Sequence, residues 1–433
     1  METNLNVGIE TPKDKLELRT TIKEFKDFYG YEPYVISSSP GRLDFLNTHQ
    51  DYKGLPVVGI AVNLRVYIAL RKIEGSEAII ASGNLMDQGV DYVDRFDVSK
   101  VMLRRGSWFG DYFRATYMYL REMGYTLGGV KAWVRSWVPI ASGLGSSGAL
   151  ITAFLGGLNE IFDLGLSTGD IAEAAYRVEH DVMGIPCGRL DQYTAAYGGV
   201  AYIRTKPPYT VRKLGIKGAV FAVLDTCLKH STMKVHSVRQ SELRRALKEL
   251  LSMVNEGLRS KLSTDLTEVK WEELTEEELV PYLSKLPPEL RNRVIFTLRM
   301  HRSTLLALRV MEGVKPRRSE ISEVLKPVKC RVRLRSGDWY LRVLGCVMTY
   351  QHMLLKDLYE VSIPELDRLV KESIRQGAFG AKLSGAGMGG AVIALFDDYE
   401  RASNLVGRCV EKGYACRGYV VNVDEGLKVF KVG

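Results

Sequence analysis

Apolar positions along the chain fall into two periods, and these predict the elements. Leu16, Leu18, Ile22, Phe25 and Phe28 recur at helical spacing, so residues 12–28 are predicted as a helix ending before Gly30. Residues 34–37 are predicted as a short strand, and Ser38-Ser39-Pro40-Gly41 as a turn into a dense polar loop. Residues 57–71 alternate as one long strand or a hairpin, and 78–82 and 91–98 as further antiparallel strands. An amphipathic helix over 108–123, a strand over 130–138 and an apolar helix over 147–162 follow. Then come helices at 168–184 and 189–197 and a strand at 200–203. After the turn at Lys206-Pro207-Pro208 the pattern gives a strand at 219–224 and long helices at 230–254, 288–313, 340–359 and 363–376. A β-α-β tail closes the chain: strand 391–396, helix 399–412, strand 414–423. Helices and strands mix without strict alternation, which predicts an α+β fold in two domains, residues 1–205 and 206–433.

Composition narrows the class. At 433 residues with 46% hydrophobic and 26% charged positions, the chain has enough apolar material for large cores. No window holds the ~18 apolar residues that a membrane helix needs. Residues 1–26 are polar and charged, so no signal peptide is expected there. The net charge is +9, yet lysine and arginine are spread along the chain, which argues against a nucleic-acid surface. The densest basic run, 326–335, alternates and is expected to be a strand edge with one solvated face. The six cysteines lack CxxC pairing; this predicts neither a zinc site nor a disulfide framework, and a reduced, cytoplasmic setting.

The chain is organised around Trp137-Val138-Pro139-Ile140-Ala141-Ser142-Gly143-Leu144-Gly145-Ser146-Ser147-Gly148-Ala149, a strand, a glycine turn and a helix start. Glycines let the backbone approach an anion, and the first turn of the helix offers free N–H groups to phosphate. Gly143-x-Gly145-x-x-Gly148 formally matches a dinucleotide fingerprint, but so does Gly385-x-Gly387-x-x-Gly390, which runs into a strand. Pro139 to Ser142 also lengthens the first turn, and no Gly-Lys-[Ser/Thr] of a Walker A loop is present. A purely structural turn remains the alternative on this motif alone. Three polar clusters accompany it: Arg42 with His49 and Asp51; Glu179 leading to Cys187-Gly188-Arg189-Leu190-Asp191-Gln192; and the closing Lys382-Leu383-Ser384-Gly385-Ala386-Gly387-Met388-Gly389-Gly390. An acid beside a serine loop suits a Mg²⁺–nucleotide site.

Together the clusters resemble the three ordered motifs of the GHMP kinases: Pro-Gly-Arg, Pro-x-x-x-Gly-Leu-Gly-Ser-Ser and Lys-x-[Ser/Thr]-Gly-Ala-Gly-x-Gly-Gly. Within them the likeness is to the galactokinases. Pro40 to Tyr52 resembles Pro-Gly-Arg-x-Asn-Leu-Ile-Gly-Glu-His-Thr-Asp-Tyr, and Cys187 to Gln192 resembles Cys-Gly-x-x-Asp-Gln. The resemblance spans nearly everything from residue 30 onward. It implies a two-domain fold with the active site in the cleft, and transfer of the ATP γ-phosphate to a sugar's anomeric hydroxyl. Asp191 would be the base and Arg42 would hold developing charge. Thr48, His49, Asp51 and His236 would face the sugar. Gly143, Leu144, Gly145, Ser146, Ser147, Gly148, Gly385 and Gly387 would wrap ATP, with Trp108 beside the adenine. Ser147 and Glu179 would hold Mg²⁺. Sugar and ATP are the implied partners, with neither nucleic acid nor membrane, in a monomer or homodimer.

Departures from the galactokinase pattern concentrate at the sugar. The glutamate expected before the histidine is Thr48, its preceding glycine is Asn47, and the following threonine is Gln50. Near His230, His236 falls closest to an expected tyrosine. Galactose is the first expectation from the resemblance, while the lost carboxylate and the basic residues nearby would suit a sugar altered at the 6-position, such as a uronic acid. Galacturonate, N-acetylgalactosamine or another hexose follows, and a sugar- and ATP-binding sensor without turnover is the competing class.

Overall fold

The computed structural model describes residues 12–105, 108–140, 142–228, 232–330, 332 and 334–432. A large sheet holds β1 (Val35–Leu46), β2 (Val57–Ile73), β3 (Glu77–Ser82), β4 (Val93–Asp97), β5 (Gly129–Ser136), β6 (Val200–Arg204) and β7 (Thr210–Leu214). A smaller antiparallel sheet holds β8 (Val220–Asp225), β9 (Gly380–Ser384), β10 (Ala391–Phe396) and β11 (Arg417–Val421), in the order β11-β8-β10-β9. The last strand, β12 (Lys428–Lys431), returns to the large sheet and pairs with β1. The 17-residue β2 pairs with β1 along one edge and serves two neighbours along the other: Val57–Ile60 pair with β6 and Val66–Ile73 with β5. Only β3 and β5 run parallel among the described pairs. Burial is nearly continuous along β2 and β3, whereas β5 leaves Lys131, Arg135 and Ser136 half-buried.

The helix Ser146–Phe162 crosses the large sheet and buries Ile151, Phe154, Leu155 and Leu158. The expected long helices appear as Thr232–Met253, Pro288–Met311, Trp339–Asp357 and Pro364–Arg375. Leu243, Leu247 and Leu250 of the first meet Leu290 and Val294 of the second in a core of their own. The two sheets meet where β1 ends against β9. Lys382 Nζ donates to the Asp44 carbonyl at 2.6 Å, and the Asp44 N–H donates to Ser384 Oγ at 3.1 Å.

Five expectations differ from the fold. Residues 38–41 are not a turn: β1 runs through them, and Pro40 is tolerated at the register shift between Pro40 and Gly41. The helix expected over 168–184 is α only to Arg177, then makes a π-helical turn, Val178–Val182. The described residues of 326–335 form no strand. The cysteines do pair: Cys330 with Cys346, and Cys227 with Cys416. Sequence spacing hid the second pair because antiparallel β8 and β11 bring their ends together, with Arg417 opposite Asp225. Finally, β7 and β12 both lie in the large sheet, so the division expected at 205/206 does not fall between the sheets.

Candidate active site

Two glycine loops, one from each sheet, close on each other. Gly145 adopts a left-handed conformation (φ 70°) and caps the helix Ser146–Phe162 without a side-chain hydrogen bond to the N–H groups of its first turn. Gly143 is also left-handed (φ 73°), and a β-carbon there would stand 2.5 Å from the Ser384 carbonyl. Backbone contact this close is what joins the middle loop to the closing one. Gly143, Leu144, Gly145, Ser146, Ser147 and Gly385 line a cavity of about 760 Å³. Gly148 and Gly387 do not. Gly148 lets the helix seat against Asp191, and Gly387 packs on the Val361 carbonyl.

At the cavity's centre Arg42 reaches from β1 to Asp191, which sits in the first turn of the helix Leu190–Tyr197. Arg42 Nε and Nη2 lie 2.8 and 2.6 Å from Asp191 Oδ1, and Nη1 donates to the Gly143 carbonyl. Burial opposes the guanidinium's charge, but Asp191, Asp44 and Asp51 together hold its pKa above the usual value. Glu179 projects from the π-helical turn, a local widening common at functional sites. It is buried, bonds Ser147, and accepts from Gln192 Nε2 at 2.6 Å. Burial, with Asp191 nearby, pushes its pKa up to about 7.

The opposite wall is made of side chains. His49, Asp51, Thr48 and His236 all line it, as the motif led one to expect. Asp51 occupies room that Gly188 leaves open, since a β-carbon at 188 would collide with its carboxylate. Burial, with the charge of Asp44, pushes Asp51 up to about 6. His49 is committed to the protein through both ring nitrogens, Nδ1 to Tyr52 Oη at 3.1 Å and Nε2 to the Ala386 carbonyl at 3.0 Å. The carbonyl can only accept, so Nε2 carries the proton. The His236 ring lies tilted against that of His49, 4.9 Å between centroids, and its Nδ1 is buried without a hydrogen-bond partner. Burial pulls His236 down to about 4, so its ring is neutral.

Sequence reasoning missed two groups here. Asp44 lines the same wall and accepts from Thr48 Oγ1 at 2.8 Å, while Lys382 lies behind it, wholly buried. Both stand inside motifs already singled out, but their pairing spans the two sheets, which no local pattern reveals. At the far end, Trp108 is not among the lining residues. It packs on Arg104 and Phe109, and Phe109 and Tyr112 line the cavity instead.

Comparison with known proteins agrees with this layout. Residues 23–72 match a galactokinase galactose-binding signature, 111–199 the N-terminal domain of GHMP kinases and 342–415 their C-terminal domain. The galactokinase of Thermococcus kodakarensis is 30% identical over 400 residues, covering 90% of this chain and 99% of that protein. The galactokinase of Pyrococcus furiosus is 27% identical over 409 residues, covering 91% and 99%. In structure, Lactococcus lactis galactokinase complexed with galactose superposes with a TM-score of 0.78 at 22% identity, over 95% of this chain and 99% of that one. Methanococcus jannaschii mevalonate kinase gives 0.61 at 19% identity, over 90% and 99%. The GHMP kinase motifs, the shared fold and the match along the whole length lead to one assignment: the chain belongs to the galactokinase family of GHMP kinases, ATP-using phosphotransferases with an alcohol group as acceptor.

Proposed function

We propose that this chain transfers the γ-phosphoryl group of Mg²⁺-bound ATP to the anomeric hydroxyl of galactose. The observation that supports this most is the Arg42–Asp191 pair, held between the two glycine loops and the wall of sugar-facing side chains. The sugar hydroxyl would sit on Asp191, which accepts its hydrogen and aims its oxygen at the γ-phosphorus. Arg42 would lie against the same oxygen and the phosphoryl group, countering negative charge as it develops. The N–H groups of residues 145–147 would hold the phosphates at the helix start. Phe109 and Tyr112, apolar faces at the far end, would take the base.

Ser147 and Glu179 suit Mg²⁺. Glu179 is a buried carboxylate with no cation at ion-pair distance among the described residues, and a serine hydroxyl lies beside it. Such hard oxygens are what Mg²⁺ takes alongside phosphate, where it would neutralise charge on the β- and γ-phosphates. Galactose is favoured by the signature over residues 23–72, which carries Arg42, His49 and Asp51. A requirement for ATP fits a cytoplasmic setting, and paired cysteines occur in intracellular proteins of hyperthermophiles.

A screen of ADP release with Mg²⁺-ATP across galactose, galacturonate, N-acetylgalactosamine and glucose tests the reading, with ³¹P NMR to locate the phosphate. Galactose should react fastest and yield an anomeric phosphate. ADP release that no sugar stimulates would overturn the kinase. Phosphate at another hydroxyl would overturn the geometry.

A further inference from the structure

The wall facing the sugar contains a buried charge pair with no assigned task. Asp44 alternates with Arg42 on β1, so both point to the cavity while Leu43 and Phe45 enter the core. Thr48 Oγ1 donates to Asp44 Oδ1 at 2.8 Å and receives a hydrogen bond from Lys382 Nζ at 2.8 Å. The second bond of Lys382 goes to the Asp44 carbonyl at 2.6 Å. The direction of this chain is set, because an ammonium can only donate and a carboxylate only accepts. The Thr48 proton is therefore spent on Asp44. Among the described residues, no other side-chain donor bonds the Asp44 carboxylate, which leaves Oδ2 as an acceptor at the cavity wall.

We propose that Asp44 is a specificity-determining residue: its carboxylate accepts a hydrogen bond from a sugar hydroxyl other than the one that meets Asp191. Thr48 and Lys382 position it. Lys382 also supplies the counter-charge that lets an acid remain in so buried a place. The ligand this selects is a neutral polyhydroxylated sugar. Asp44, Asp51 and Asp191 all face the sugar space, and among the described residues Arg42 is the one permanent cation lining it, already bound to Asp191. Lys382 is not on the wall and has its donors turned to the protein. A sugar carrying its own carboxylate would meet like charge there with no free cation among the described residues, so the same group that welcomes a hydroxyl disfavours a uronate.

This inference rests on the sugar-kinase reading, and binding separates the two. Calorimetry on the full chain would measure galactose and galacturonate affinity for the wild type, Asp44→Asn and Thr48→Val, with heat stabilisation by ATP reporting the fold. Asp44→Asn should weaken galactose by about 10- to 100-fold, the loss expected for a hydrogen bond to a charged acceptor, with ATP stabilisation kept. Thr48→Val should weaken it less, since it loosens the acid without removing it. Galactose affinity equal in wild type and Asp44→Asn would overturn the assignment, as would a larger loss in Thr48→Val. Should Asp44→Asn fail to fold, the wild type decides: galacturonate bound as tightly as galactose overturns the proposal, and strong preference for galactose supports it. Loss of binding in Asp44→Asn without any ADP release by the wild type would sink the kinase and leave the Asp44 assignment standing.

Discussion

The two ends of the cavity are built from different material. The phosphate end is backbone: Gly143 and Gly145 in left-handed conformations, a helix start, and a second glycine loop pressed on the first. The sugar end is side chains: Asp44, Thr48, His49, Asp51 and His236, brought together from β1, the segment that follows it and the helix Thr232–Met253. A backbone site recognises what every nucleotide shares, so its local pattern is short and rigid. A side-chain site recognises one ligand, and single substitutions retune it. Arg42 and Asp191 stand where the two ends meet.

Substitutions at the junction should be the most severe. Asp191→Asn is expected to lower turnover by about 10²- to 10⁴-fold while ATP still stabilises the protein to heat, as the group that receives the hydroxyl's hydrogen is removed. Gly143→Ala attacks the phosphate end alone. Left-handed backbone and a β-carbon against the Ser384 carbonyl should cost roughly 1–3 kcal/mol, read as a fall in Tm, with a higher KM for ATP. Gly188→Ala attacks the sugar end alone. Displacing Asp51 should raise the KM for sugar about tenfold and leave that for ATP within about twofold, the loss of one hydrogen bond to a charged group.

A pH series sharpens the same contrast. Asp51 is raised from the usual carboxylate range to about 6, so its charged, hydrogen-bond-accepting form is complete above that pH and lost below it. The KM for sugar should rise as pH falls through 6, and Asp51→Asn should flatten that dependence. The smallest effect belongs to Trp108. Because Phe109 and Tyr112 line the cavity and Trp108 does not, Trp108→Ala should change the KM for ATP less than Phe109→Ala does.

What was legible in the sequence follows the same division. Arg42, Asp191, Ser147 and Glu179 were readable because each sits in a short motif, and they converge in one cavity. Residues 38–41 of β1 look like a turn because Pro40, Gly41 and the serines are loop residues, yet the strand is buried on both faces and absorbs them at a register shift. The π-helical turn at Glu179 is a single five-residue turn at the end of a helix, too short to stand out from the helical pattern before it. Cys227 and Cys416, 189 residues apart, meet only through strand pairing, as do Asp44 and Lys382 through the contact of two sheets. Long-range pairings leave no local pattern to read.

The most direct test is galactose-stimulated ADP release from Mg²⁺-ATP by wild type and Asp191→Asn side by side, with ATP stabilisation of both proteins recorded. Strong stimulation is expected in the wild type and almost none in a variant that still binds ATP. Stimulation retained in Asp191→Asn, or absent from the wild type, would contradict the proposed function.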